Sequence, residues 1–316
     1  MISLLIAGIV LVAAILSGLV IFTAVTARRV EQALPPRGQF IEVSGARIHY
    51  LDKGTGPPIV IVHGLGGQMG NFTYALLERL TDEFRVILLD RPGSGYSRRA
   101  PGATGRLTEQ ASIVAEFIRK LDLQRPLLVG HSLGGAIALG VALDHPEVVK
   151  GLALVAPLTH MPKHVPPPFR ALDIKSNFLR WLVAWTVATP IGIRRGKAIL
   201  DAIFSPDIAP ADFPIRGGGI LGLRPRSFYN ASLEMRALDL WAMTGRYASL
   251  RVPVRILYGT SDQVLSPQLN GEALKAKTPM ASLELVAGGH MLPISAPDWT
   301  AKFIKAAARS ESAVSA

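Results

Sequence analysis

Leu127-Leu128-Val129-Gly130-His131-Ser132-Leu133-Gly134-Gly135-Ala136-Ile137-Ala138-Leu139 joins an apolar run, a serine between glycines and a second apolar run without a break. The first run suits a buried strand, and the part from Gly135 onward suits a helix. Between them, residues 130–134 fit the G-x-S-x-G elbow, in which a sharp strand-to-helix turn lifts the serine clear of the sheet edge. Such a turn strains the serine backbone and brings neighbouring chain too close for side chains, so the glycines have a steric reason. An ordinary glycine-rich turn is the plain alternative, and the flanking strand and helix argue against it.

Working outward, short β-branched runs alternate with helical patterns. Strands are expected at 40–43, 47–52, 59–63, 86–90, 127–130, 152–156, 254–259 and 283–287. The middle ones, such as Ile59-Val60-Ile61-Val62, are apolar throughout and suit strands covered on both faces. Helices of 3.6-residue period fit between them at 75–80, 108–121 and 133–143. The first two strands read as a hairpin through Ser44-Gly45. The fold class is therefore α/β, with an eight-stranded, mostly parallel sheet. The interval 158–250 breaks the rhythm with Pro166-Pro167-Pro168 and Gly217-Gly218-Gly219 among apolar helical stretches such as 178–187. No structureless loop of that length is expected in a compact domain, so it reads as a helical cap between the sixth and seventh strands. The expected organisation is a membrane anchor (1–27), a linker (28–38), a core in two pieces (39–157 and 251–309), the cap, and a flexible tail (310–316).

A serine hydroxyl attacks well only when a base takes its proton. With no cysteine in the chain, a thiol nucleophile is excluded and Ser132 stands as the candidate. Of the seven histidines, His290 is the best base, because Gly288-Gly289-His290 follows the last strand in a loop able to return to the carboxyl edge of the sheet. A carboxylate on the other ring nitrogen fixes the tautomer and stabilises imidazolium. Asp262, ending Tyr258-Gly259-Thr260-Ser261-Asp262, fills that place in the chain order Ser, Asp, His. A helix-capping role ahead of Ser266-Pro267 is its bland alternative. Oxyanion donors are expected from the backbone N–H of Leu133 and, in His63-Gly64-Leu65-Gly66-Gly67, of Leu65. That glycine loop lacks the Lys-Ser/Thr ending of a phosphate cradle.

On these motifs, together with Asp90-Arg91-Pro92-Gly93-Ser94-Gly95-Tyr96-Ser97, residues 40–308 resemble the α/β-hydrolase superfamily. The resemblance implies a structural role for the 90–97 loop and chemistry without cofactor or metal. By architecture alone, the anchored and capped chain resembles membrane-bound monoacylglycerol-lipase-like esterases. Relatives such as haloalkane dehalogenases and epoxide hydrolases carry Asp at the elbow, which Ser132 argues against. A cap rich in Arg and Lys is unlike the acidic caps of prolyl aminopeptidases. The expectation is hydrolysis of carboxylic esters of a lipophilic acyl substrate. Other Ser-triad reactions remain open (carbon–carbon bond hydrolysis, acyl transfer, cofactor-free haloperoxidation), as does a non-catalytic, membrane-tethered binding module.

Residues 2–25 carry no charge, and a helix of that length covers the roughly 30 Å hydrocarbon core. Nothing basic precedes the run, unlike a signal peptide, although Val25-Thr26-Ala27 would serve as a cleavage site. Arg28, Arg29 and Arg37 follow it, so the positive-inside rule puts the large domain on the cytoplasmic face of a single-pass protein. The net charge of +11 is scattered, with no basic stretch interleaved with aromatics. That pattern points to a solvated surface or an anionic leaflet, and away from nucleic acid.

Overall fold

The computed structural model describes residues 1–313, with the side chains of 310–313 excepted. Its centre is a nine-stranded sheet built from β1 (Gln39–Val43), β2 (Ala46–Lys53), β3 (Pro58–Val62), β4 (Arg85–Leu89), β5 (Arg98–Arg99), β6 (Leu127–His131), β7 (Gly151–Val155), β8 (Val254–Gly259) and β9 (Ala281–Val286). The order is β1-β2-β4-β3-β6-β7-β8-β9, with β5 paired to β2. From β4 to β9 every pairing is parallel. β1 and β2 form the antiparallel hairpin, and β2 also runs antiparallel to β4. Gly45, at φ +82°, makes the hairpin turn. Eight of these strands lie within two residues of their expected positions. β5 is the addition, and two basic residues carry no period by which a sequence reader could find it.

Alternation explains why the middle strands are apolar at every position. Val60, Val62 and Leu128 face one core with the helices Leu107–Lys120 and Leu133–Asp144, whereas Ile59, Ile61, Leu127 and Val129 face another with Phe303 and Ile304 of the helix Pro297–Ala313. Helix-covered parallel strands need both faces apolar. The chain leaves β3 toward β4 on one side and returns to β6 on the other. Loops after β3 and β6 therefore diverge and leave a crevice at their carboxyl ends.

Between β7 and β8 lie three substantial helices, Asn177–Trp185, Ala188–Phe204 and Pro225–Arg236, joined by shorter turns. The first ends at Trp185, where the sequence periodicity suggested 187. At the amino end, Ile2–Ala33 is one helix, long and apolar enough to cross a membrane. It runs further than the sequence suggested: Arg28 to Ala33, expected in a linker, are helical because no breaker precedes Pro35 and because Val30 is buried. Only Leu34 to Gly38 stay outside regular structure. The carboxyl-terminal helix runs to Ala313, and the rest of the tail expected at 310–316 lies outside the described residues.

Candidate active site

Ser132 sits between β6 and the helix Leu133–Asp144 with φ +54° and ψ −121°, a backbone conformation that costs a non-glycine residue about 1–3 kcal/mol. The glycines around it answer to that geometry. A Cβ on Gly130 would come within 2.5 Å of the Gly134 carbonyl oxygen, and one on Gly64 within 2.9 Å of Ser132 Cβ. Strain at this turn projects the hydroxyl over the crevice at the carboxyl ends of β3 and β6.

His290 Nδ1 lies 2.7 Å from Asp262 Oδ2, and both side chains are buried. Asp262 spends its other oxygen on the loop that holds it: Oδ1 accepts from the N–H of Val264 at 2.8 Å and of Leu265 at 2.9 Å. The His290 ring packs 5.0 Å from the ring of His131, the residue before Ser132, and His131 Nε2–H donates to the His290 carbonyl at 3.0 Å. Among the described residues neither Ser132 Oγ nor His290 Nε2 makes a hydrogen bond. Such contacts often close only around substrate. The backbone N–H groups of Leu65 and Leu133 are likewise unengaged among the described residues, so they are free to bind an oxyanion.

Two residues that sequence reading passed over fix the His290 loop. His131 is one. Burial, helped by the positive charge His290 would carry, pushes its pKa down to about 3, so it stays a neutral donor. Asp207, between β7 and β8, is the other, with Oδ2 accepting from Gly289 N–H at 2.9 Å. The occupant of the variable position in G-x-S-x-G was the available signal for His131. Nothing local marks Asp207.

The β3 loop is clamped from the 90–97 turn. Burial, with the Arg91 charge beside it, drives the His63 pKa down to about 3. Its neutral ring donates from Nδ1 to the Gly64 carbonyl at 2.8 Å and accepts the Arg91 N–H on Nε2 at 2.9 Å. Arg91, fully buried, donates to the carbonyls of His63 and Gly64 at 2.9 Å each and pairs with both Glu234 oxygens at 2.9 and 3.0 Å. Arg99 adds a second cation on Glu234 at 2.7 Å. Glu234 belongs to the helix Pro225–Arg236, so that helix is ion-paired to Arg91, which in turn holds the carbonyls of the loop that carries Leu65. Asp90 completes the turn: burial would raise its pKa, but hydrogen bonding from His49 and from the Met69 N–H holds it below the ordinary range.

Ser132 is 8% exposed and His290 2%, so both are shielded from solvent. A cavity of about 350 Å³ is lined by Ala27 and Glu31 of the amino-terminal helix and by Trp181, Trp185, Arg224, Arg226 and Tyr229 from the segment between β7 and β8. A smaller one is lined by Gly66, Gly67, Ser94 and Gly95 together with Arg224, which thus borders both. Burial, with Arg226 nearby, lowers the Arg224 pKa to about 10. Among the described residues no group of three His, Asp or Glu is placed to hold a metal ion.

A family model for the alpha/beta hydrolase fold matches residues 57–190. An uncharacterized protein of Mycobacterium tuberculosis is 30% identical over 290 residues, 88% of this chain and 82% of that protein. The chain belongs to the α/β-hydrolase fold family. Other relatives of this α/β-hydrolase match in part. Haloalkane dehalogenase 2 of Mycobacterium tuberculosis is 37% identical over 128 residues, 39% of this chain and 43% of the relative. The dihydrolipoyllysine-residue acetyltransferase component of the acetoin cleaving system of Cupriavidus necator is 39% identical over 122 residues, 38% of this chain and 32% of that protein. The α/β-hydrolase thus spans less than half the length of these two relatives. Among solved structures, a membrane phospholipase A, described as a bacterial virulence factor, superposes with a TM-score of 0.67 at 24% identity, covering 96% of this chain and 97% of that one. At that identity the likeness is one of fold.

Proposed function

We propose that this α/β-hydrolase cleaves carboxylic esters of a lipophilic acyl substrate through an acyl-enzyme intermediate, with Ser132, His290 and Asp262 as its triad. The observation that carries the reading is the 2.7 Å His290–Asp262 contact, which leaves Nε2 unengaged, set beside a serine in a strained elbow. Ser132 Oγ attacks the ester carbonyl while His290 Nε2 takes its proton. Negative charge then builds on the carbonyl oxygen, where the N–H groups of Leu65 and Leu133 supply preorganised donors. Collapse expels the alcohol, protonated by His290, and leaves the acyl group on Ser132. Water, deprotonated by the same imidazole, attacks the acyl-serine and regenerates the hydroxyl.

The lipophilic preference rests on the apolar lining of the 350 Å³ cavity and on its place beside the amino-terminal helix. In the same reading that helix anchors the chain, the basic flank keeps the large domain on the cytoplasmic face, and residues 158–250 are the cap over the core. The test is a panel of p-nitrophenyl acyl esters of increasing chain length, run alongside a fluorophosphonate probe. Turnover and labelling that both vanish in Ser132→Ala are expected. A folded protein that turns over no ester removes the esterase reading, and an unlabelled Ser132 leaves a binding module in its place.

A further inference from the structure

The amino-terminal helix fixes a level for the cap. Its uncharged stretch runs to Ala27, and 26 residues reach about 39 Å, the roughly 30 Å hydrocarbon core plus part of one interfacial layer. Thr23 lies inside that stretch, about 7 Å before Arg28 along the helix axis. It is nonetheless fully buried, and its hydroxyl donates to the Thr186 carbonyl at 3.4 Å. Thr186 joins the cap helices Asn177–Trp185 and Ala188–Phe204. A helix that crosses a bilayer therefore carries the junction of these two cap helices down to the boundary between acyl chains and headgroups.

The side chains around that junction suit such a place. Phe178 (70% exposed), Leu179 and Trp181 on the first helix, and Ile191 and Ile193 on the second, stand open to the surroundings. Single exposed apolar residues are ordinary on a soluble surface, but five on consecutive helices flanking a membrane-level contact are not. Arg194, Arg195 and Lys197 follow directly and are exposed, which complements anionic headgroups. Arg194 and Arg195, one turn from Ile191 on the same face, can keep their stems beside apolar side chains and reach headgroups with their charges, as at a membrane interface.

We propose that this corner of the cap is seated in the lipid leaflet beside the amino-terminal helix, with Phe178, Trp181 and Ile191 inserted among the acyl chains. The inference rests on reading Ile2–Ala33 as a membrane anchor. It deepens the esterase reading, because Trp181, which lines the larger cavity, then stands at the level of the lipid ester bonds.

The absence of cysteine makes the test direct. In the full chain, Val12→Cys, Phe178→Cys, Ile191→Cys, Leu269→Cys and Met280→Cys are each labelled with an environment-sensitive nitrobenzoxadiazole dye. All five positions are exposed, so the cores are untouched. Each protein is reconstituted into nanodiscs of phosphatidylcholine and phosphatidylglycerol, with and without acyl-chain nitroxide lipid. Dyes at 12, 178 and 191 should emit to the blue and lose most of their intensity to the nitroxide, while those at 269 and 280 should not change. Quenching at 12 with 178 and 191 behaving like 280 overturns the proposal and leaves the anchor standing. A blue shift at 178 and 191 without quenching also overturns it, in favour of a protein partner. An unquenched dye at 12 removes the anchor reading and this inference with it.

Discussion

Asp262 divides its oxygens between holding its own loop and facing His290, and that division sets what a substitution should do. In Asp262→Asn the Oδ1 contacts survive, while the amide nitrogen presents N–H groups to His290 Nδ1 and forces the wrong tautomer. Ester turnover should fall by about 10⁴-fold with little change in melting temperature. A variant retaining most of its rate would remove Asp262 from the triad. At Gly130 the problem is steric: in Gly130→Ala the new Cβ meets the Gly134 carbonyl oxygen at 2.5 Å and the Gly135 Cα at 2.7 Å, both backbone atoms that cannot swing aside. Circular dichroism should show a melt lowered by several degrees, in keeping with the 1–3 kcal/mol typical of overpacking. The proposed triad residues Ser132, Asp262 and His290 stand out in the sequence because each follows a recognisable strand. His131 and Asp207 do not, because their partners are backbone groups of a loop far away in the chain.

The helix Pro225–Arg236 meets the 90–97 turn through the Glu234 carboxylate and through Arg226, which donates to the Gly95 carbonyl at 2.7 Å. Glu234 is buried between Arg91 and Arg99, so Glu234→Gln leaves two buried guanidinium groups without a counter-charge. Loss of one partner from a buried ion pair typically costs about 3–5 kcal/mol. A urea titration of detergent-solubilised protein should show a loss of that size, and an unchanged midpoint would mean that water replaces the pair. Because Arg91 also holds the carbonyls of His63 and Gly64, residual activity in this variant should fall more than the fraction folded does. The middle strands were readable as elements because two-sided burial leaves an unbroken apolar run. β5 and the end of the amino-terminal helix were not, since a two-residue strand has no period and the helix end depends on Val30 finding a surface to bury against.

Over the whole molecule, acid sensitivity should follow from two buried histidines. His63 and His131, both at about 3 when folded, carry ordinary values near 6.5 when unfolded, so between pH 6.5 and 3 the unfolded chain binds the extra protons. Their contribution is complete above pH 6.5 and fades as the pH falls toward 3, by about 1.4 kcal/mol per pH unit for each. Melts recorded from pH 7 to pH 5 should show this decline, and His63→Gln should shallow it. An identical slope in that variant would exclude His63 as a source. Pattern alone determined the sheet, the elbow and the order of the candidate triad, because these follow from local apolar period and from glycines demanded by one sharp turn. Tertiary structure alone decided that Glu234 pairs with the arginine holding the Leu65 loop, that Asp207 and His131 steady His290, and that Thr23 meets the Thr186 carbonyl. Those contacts join residues dozens to more than a hundred and fifty positions apart, and nothing in the local chemistry of either partner specifies the other.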